Sequence, residues 1–276
     1  MTTLYNKSGT FSTDLFTGAA IEAIQAHPSD KSAFIYIAYT APHAPYQAPA
    51  EFIAQTDAIY ENLPSRRTIA AMMANVDHAI GRVQASLEQR DMWKDTVTII
   101  LSDNGGRTFP AEVYSPQLGS MVHSNCASRW SWSHSMASVL CGVGKRFTHA
   151  AFACFVTVHV PSPANSHALH FGVSFGWASV TCSDPLRGSK GAFLEGGIRT
   201  PALVHTSSRA ASTYPRAWSG ILPSKAGTVL SDITFVSDWL PTLLDVAGAP
   251  IEFSQPDPDV DGVSLWRSFS EGECVE

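Results

Sequence analysis

Asp103 and Asn104 stand side by side at the end of an apolar run, Val97-Thr98-Ile99-Ile100-Leu101-Ser102, and are followed by Gly105-Gly106. A run of this kind reads as a buried strand. Two oxygen-bearing side chains at its carboxyl end, with glycines that let backbone come close, suit a hard cation such as Ca2+. Open α/β sheets place their ligands at that end. Asn-Gly after a strand is also a tight-turn signal. Two other residues could handle an anion. Lys190 lies among Gly188, Ser189 and Gly191, where backbone can approach a charged group closely; the alternative is a solvated surface lysine. His43, in Ala41-Pro42-His43-Ala44-Pro45, is either a ligand-binding imidazole or a turn histidine bonded to backbone.

These residues need a scaffold, and the flanking sequence supplies one. Ala33 to Tyr39 is predicted as a buried strand stopped by Pro42 and Pro45. A helix follows from about Ser65 to Gln89, because Ile69, Met72, Met73, Val76, Ile80, Val83 and Leu87 step by three and four onto one face. Asn75, Gln84 and Glu88 fall off that stripe. The helix leads into the Val97–Ser102 strand, and strand-helix-strand is the unit of a parallel sheet with helices on its faces. Further on, Pro201 to His205 reads as a short strand. Thr234 to Ala247 reads as a helix closed by Gly248, with Phe235, Trp239, Leu243, Leu244 and Val246 as its apolar set. Pro241 is expected near its start or at a kink, and Asp238 as a cap for the residues after it.

The middle departs from this style. Between Ala111 and Cys182 the only charged residues are Glu112, Arg129, Lys145 and Arg146, yet the stretch holds six of the ten histidines and four of the five cysteines. Most of it has no helical or strand period, which is uncommon for so long a stretch inside a compact domain. A family-specific insertion, a metal-binding or Cys-rich subdomain, and translated non-coding sequence such as a retained intron all compete. The change of composition at both borders favours the last. No Cys pair at zinc spacing accompanies His167 and His170.

Composition narrows the class. A chain of 276 residues, 45% hydrophobic and 15% charged, can bury a substantial core. A net charge of -6 argues against a nucleic-acid partner. Local cations can still hold an anionic substrate. Neither a transmembrane run nor a signal peptide is visible. Asn6-Lys7-Ser8 is a glycosylation sequon.

Five motifs now fall in order: Ala41-Pro42-His43-Ala44-Pro45, Ser102-Asp103-Asn104-Gly105-Gly106, Leu186-Arg187-Gly188-Ser189-Lys190-Gly191, Leu194-Glu195-Gly196-Gly197-Ile198-Arg199-Thr200-Pro201, and Ser237-Asp238-Trp239-Leu240-Pro241-Thr242-Leu243-Leu244. Together they resemble the sulfatase family, most closely its arylsulfatase B-like branch, over about Phe11–Phe109 and Pro185–Gly272. Asp259 to Gly272 is similar to the segment that closes the family's catalytic domain. The resemblance implies a partial alkaline-phosphatase-like α/β sandwich with a mostly parallel central sheet flanked by helices and interrupted by an irregular insertion. Residues 1–110 would be the middle part of the catalytic domain, 111–182 the atypical insertion and 183–276 the closing part.

By the same resemblance, Asp103 and Asn104 match two calcium ligands. His43 and Lys190 match residues that bind the sulfate group and act in catalysis, and Glu195 and Arg199 match a structural Glu-Gly-Gly-x-Arg turn. A cation, an ammonium and an imidazole converging on one anion pocket would stabilise charge on sulfuryl oxygens and on a departing oxygen. The substrate would be a sulfated sugar or other sulfated small molecule such as an aryl sulfate, and the compartment lysosomal or secreted. The family's nucleophile is a formylglycine made from cysteine in a Cys-x-Pro/Ala-x-Arg motif, preceded by an Asp-Asp calcium pair. Neither occurs in these residues; Cys126-Ala127-Ser128-Arg129 has arginine one position early and no proline. An inactive sulfatase fragment is therefore expected, because no covalent intermediate forms without the nucleophile. The alternatives are a non-catalytic variant that binds sulfated glycans and a phosphatase or phosphodiesterase of the same superfamily. The sequence is silent on oligomeric state.

Overall fold

The computed structural model describes residues 7–28, 30–60, 64–106, 154–159, 169–170, 186–206, 229–230, 233–247 and 261–271. The glycosylation sequon's Asn6, the closing Gly248 and most of residues 111–182 lie outside them.

Helix α1 (Ser12–Ala26) leads to strand β1 (Ala33–Ala38), and α2 (Ala50–Tyr60) to α3 (Pro64–Gln89). All seven apolar residues of the α3 stripe are buried, at 6% exposure or less. Met72, Val76, Ile80, Val83 and Leu87 of the stripe pack with Ala20 and Ile24 of α1 and with Ile37 of β1 into one core. The helix also buries a second side, which the periodicity did not foresee. Asn75, expected off the stripe, is 3% exposed. It shares a face with His78, whose ring lies 5.7 Å from that of Phe52 in α2. Helix α2 lies on this side of α3, with His78 at the exposed margin of the contact.

Strand β2 (Thr96–Leu101) follows α3, and β3 (Cys154–His159), β4 (Leu169–His170) and β5 (Ala202–Thr206) complete a five-stranded sheet in the order β1-β3-β2-β5-β4. Every described strand pair is antiparallel, which corrects the expectation of a mostly parallel sheet. The cause is β3. It comes from the stretch thought to lack strand character, yet Phe155-Val156-Thr157-Val158 is rich in β-forming residues. It lies between β1 and β2, with Ile35 and Thr98 both opposite Thr157. The strands joined by α3 thus still run the same way, as the crossover requires, but they pair with β3 and not with each other.

Strand β1 is likewise not buried on both sides. Phe34 and Tyr36 are 62% and 58% exposed. The second helical layer, α5 (Trp239–Val246) and α6 (Trp266–Glu271), explains this by where it sits. Val246, Leu265, Trp266 and Phe269 pack with Val97 and Ile99 of β2 and Val204 of β5, leaving this face of β1 outside that core. Pro241 is the third residue of α5, near the start as expected, where no intrahelical N–H bond is lost. Asp238 does not cap α5. Its carboxylate accepts the N–H groups of Phe235 (2.7 Å) and Val263 (3.0 Å), tying the segment before α5 to the segment before α6.

Two polar contacts hold the chain leaving β1. The Tyr39 hydroxyl lies 3.0 Å from Thr17 Oγ1, and Ser12 Oγ lies 2.8 Å from Thr40 Oγ1, so α1 anchors the entry to the Pro42–Pro45 loop. Burial pushes the Tyr39 phenol above its ordinary value of 10.0, against smaller opposing effects of the Thr17 bond and the Arg82 charge.

The chain beyond β2 is zipped to the chain before β5. Leu101 pairs with Ala202; then the Ser102 N–H donates to Pro201 O (3.1 Å), Gly105 N–H to Gly197 O (2.8 Å), and Lys190 N–H to Gly106 O (2.9 Å). The contact is backbone on backbone. A Cβ on Gly105 would fall 1.9 Å from Gly196 O, and one on Gly196 would fall 2.3 Å from Gly188 O.

Both sets of contacts can be tested by single substitutions. Gly105→Ala should lower stability by about 3 kcal/mol, because neither backbone can yield to the methyl group. An unchanged urea midpoint, with Lys190 amide exchange still slow, would show that the zip is loose. Tyr39→Phe should cost about 1 kcal/mol at pH 7, the value of one hydrogen bond; Thr17 Oγ1 keeps its 2.6 Å bond to Thr13 O. A phenol raised in the folded state contributes stability that is intact below the unfolded value and is lost as pH rises through the folded one. The gap between wild type and variant should therefore narrow above about pH 10. A gap that stays constant in denaturation curves up to about pH 11 would count against this.

Candidate functional site

Asp103 and Asn104 ride on the first residues beyond β2, at its carboxyl end. Ser102 is buried, and its hydroxyl donates to the Asn104 carbonyl (2.9 Å), bending the chain so that the Asp103 side chain is exposed and Asn104 half-buried. The buried strand behind them and the Gly105–Gly197 bond ahead of them hold both ends of this turn.

Lys190 sits on the opposing side of the zip. The Ala192 N–H donates to Ser189 O (2.9 Å), closing a four-residue turn in which Lys190 is second and Gly191, with φ +87°, is third. Positive φ at the third position is the type II geometry, which selects glycine there. The Lys190 side chain is exposed while its own N–H is fixed to Gly106 O, directly after Asn104-Gly105. Backbone bonds thus bring the Asp103–Asn104 turn and the Lys190 turn together. Arg187, also exposed, precedes Lys190 by three residues and adds a second cation to this loop. Sequence reasoning gave Arg187 no role; its place in the Leu-Arg-Gly-Ser-Lys run was the available signal.

His43 reaches the same end of the sheet by another route. Ala38 and Leu101 both stand opposite Cys154, so the chains leaving β1 and β2 depart from one edge, about 10 Å apart across β3. The His43 N–H donates to Thr40 O (2.8 Å), and its Nδ1 lies 2.9 Å from Ala44 O. A carbonyl can only accept, so Nδ1 carries a hydrogen and Nε2 is left at the outer end of the exposed ring. The turn-histidine reading describes this bond. It also fixes the ring for whatever Nε2 meets. Among the described residues no hydrogen bond joins the side chains of His43, Asp103, Asn104 and Lys190 to one another.

Glu195 and Arg199 form an ion pair of 3.0 Å across α4 (Glu195–Ile198), with both side chains largely exposed. Exposed pairs of this kind contribute little. The structural part of this segment lies instead in Gly196 and Gly197, which are buried against the Arg187–Ala192 backbone.

For a hard cation, the Asp103 carboxylate and the Asn104 amide oxygen are the right kind of donor, and their turn is held in place. Ca2+ takes six to eight oxygens, so two side chains supply only part of a shell. Among the described residues no group of three or more His, Cys, Asp or Glu side chains is placed to hold a metal ion. The donors match in type and fall short in number.

The sulfatase family model matches residues 1–249. Arylsulfatase J of Mus musculus is 27% identical over 265 residues, covering 96% of this chain and 30% of that protein. An arylsulfatase of Klebsiella aerogenes is 28% identical, covering 30% of this chain and 27% of that one. Among solved structures, Ps i-CgsB, both alone and in complex with k-i-k-neocarrahexaose, superposes with a TM-score of 0.55 at 23% identity, covering 97% of this chain and 40% of that one. The chain spans under a third of the length of the curated relatives it matches. With the family model matched across most of its length, and with the zip joining the two motif-bearing turns, this chain belongs to the sulfatase family.

Proposed function

We propose that this chain carries part of a sulfate-ester hydrolase site: it binds the sulfate group and does not itself turn the ester over. The carrying observation is the zip that seats the Asp103–Asn104 turn against the Lys190 turn. Lys190 brings an exposed ammonium on a backbone tied to Gly106, and Arg187 adds a second exposed cation to the same loop. His43, with its ring set by the Ala44 bond, would donate a hydrogen bond to a sulfate oxygen through Nε2 when that nitrogen carries a hydrogen. Asp103 and Asn104 would contribute to a calcium ion, which when bound supplies positive charge against the sulfuryl oxygens. The neocarrahexaose bound to Ps i-CgsB and the arylsulfatase names support sulfated sugars or aryl sulfates as the substrate class.

The absence of turnover is a matter of electrons. The S–O bond breaks when a nucleophile attacks sulfur, and these residues include no Cys-x-Pro/Ala-x-Arg motif from which the family's nucleophile is made. The purified chain should therefore bind inorganic sulfate without accelerating hydrolysis of an aryl sulfate above buffer. Lys190→Ala should weaken sulfate binding about tenfold in a calorimetric titration, as expected for loss of one charge-assisted contact. Measurable hydrolysis abolished by Lys190→Ala would disprove the first expectation; sulfate affinity indifferent to that substitution would disprove the second.

With donors for only part of a calcium shell, affinity should be millimolar or weaker. At about 1 mM Ca2+ the melting temperature should rise by no more than about 1 °C, since binding at its midpoint stabilises by only about 0.4 kcal/mol. A shift of several degrees that Asp103→Ala removes would show a fuller set of ligands.

A further inference from the structure

The turn that presents Lys190 also presents the most exposed large apolar side chain among the described residues. Phe193 is 98% exposed and follows the Ser189–Ala192 turn directly. Exposed aliphatic residues are common on protein surfaces, but a fully exposed phenyl ring three residues from a lysine is not accounted for by packing among the described residues. Nor can the ring fold inward. The Gly196 N–H is bonded to Arg187 O (2.8 Å), and a Cβ on Gly197 would fall 2.2 Å from Ala192 O, so the backbone beneath the turn is already packed on itself. Leu194 fills the remaining side, its Cβ lying 2.7 Å from where a Cβ on Gly188 would stand. The turn thus holds an ammonium and a bare aromatic face three residues apart on one rigid frame.

We propose that Phe193 is a platform for the ring of a ring-bearing sulfate ester whose sulfate is held at Lys190, an inference that rests on the function proposed above. Such an ester has an anionic head joined to a flat, weakly polar body, either an aryl face or the C–H face of a sugar. Lys190 complements the head by charge, and Phe193 complements the body by stacking. Inorganic sulfate and methyl sulfate have no body to place there and should be indifferent to Phe193.

The test titrates the 276-residue chain with methyl sulfate, phenyl sulfate and a galactose sulfate, followed by calorimetry or amide NMR. Phenyl sulfate should bind about tenfold more tightly than methyl sulfate, the upper range for one aromatic stacking contact. Phe193→Ala should cut that preference to about twofold or less, leave methyl sulfate affinity unchanged, and leave the melting temperature within about 1 °C because the ring is 98% exposed. A Phe193-dependent gain with galactose sulfate assigns the platform to sugars as well; a gain with phenyl sulfate alone restricts it to aryl esters. Equal affinity for methyl and phenyl sulfate, a preference that survives Phe193→Ala, or a variant that melts well below wild type would each overturn the platform while leaving sulfate binding at Lys190 intact. Methyl sulfate that fails to bind in a Lys190-dependent way would remove the function proposed above and the platform with it.

Discussion

Backbone contact between two glycine-rich segments is the constraint on which the rest of this molecule depends. Beyond β2 the chain no longer has sheet partners on both sides, yet Ser102, Gly105 and Gly106 stay bonded to Pro201, Gly197 and Lys190. Carbonyl oxygens sit where β-carbons would otherwise be. Only residues without side chains allow this approach, and it sets Asp103, Asn104 and Lys190 in one neighbourhood although they lie more than 80 positions apart in the chain. The cores supply stability, whereas this seam supplies position.

The two helical layers serve the seam from behind. The first, α1 with α3, buries the inner residues of β1, β2 and β5. The second, α5 with α6, closes the opposite face of β2 and β5, with Trp239 and Phe269 5.9 Å apart between its helices. Strand β2 is therefore covered on both sides and is the stiffest support available for the residues at its end. His205 on β5 adds to this on the α1–α3 side: it is 2% exposed and stacks on Trp93 at 4.9 Å. The loop with His43 has a different anchorage, from the hydroxyl pairs Thr17–Tyr39 and Ser12–Thr40 on α1. Its position thus depends on α1, and that of Lys190 depends on the seam.

Legibility in the sequence followed the strength of local patterns. The α3 helix was foreseen within a residue of its ends because seven apolar residues repeat at three and four. Strands β2 and β5 were foreseen for similar reasons, and the helix around Pro241 in part, since it begins at Trp239 and not at Thr234 and leaves Phe235 exposed before it. Helices α1 and α2 went unread. The first buries Thr13, Thr17 and Ala20 beside Ile24, two of them polar, and has no side-chain cap at Phe11, so its stripe is faint. Strand β3 was obscured by the unusual composition around it. The insertion of β3 separated β1 from β2, and with β5 antiparallel to β2 the described sheet is antiparallel where a parallel one was expected.

The sequence by itself determined the residue types that chemistry needs: oxygen donors after a buried strand, a lysine among small residues, and a histidine between prolines. It also determined where close backbone approach is possible, since glycine positions are fixed in the text of the chain. It could not determine which glycine meets which carbonyl, because such contacts join segments far apart and leave no local period. Tertiary structure alone decided that Gly105 faces Gly196, that Nδ1 of His43 is spent on Ala44, and that Phe193 is exposed. Each of these is set by what packs against the residue from elsewhere in the chain, and packing is a property of the folded whole.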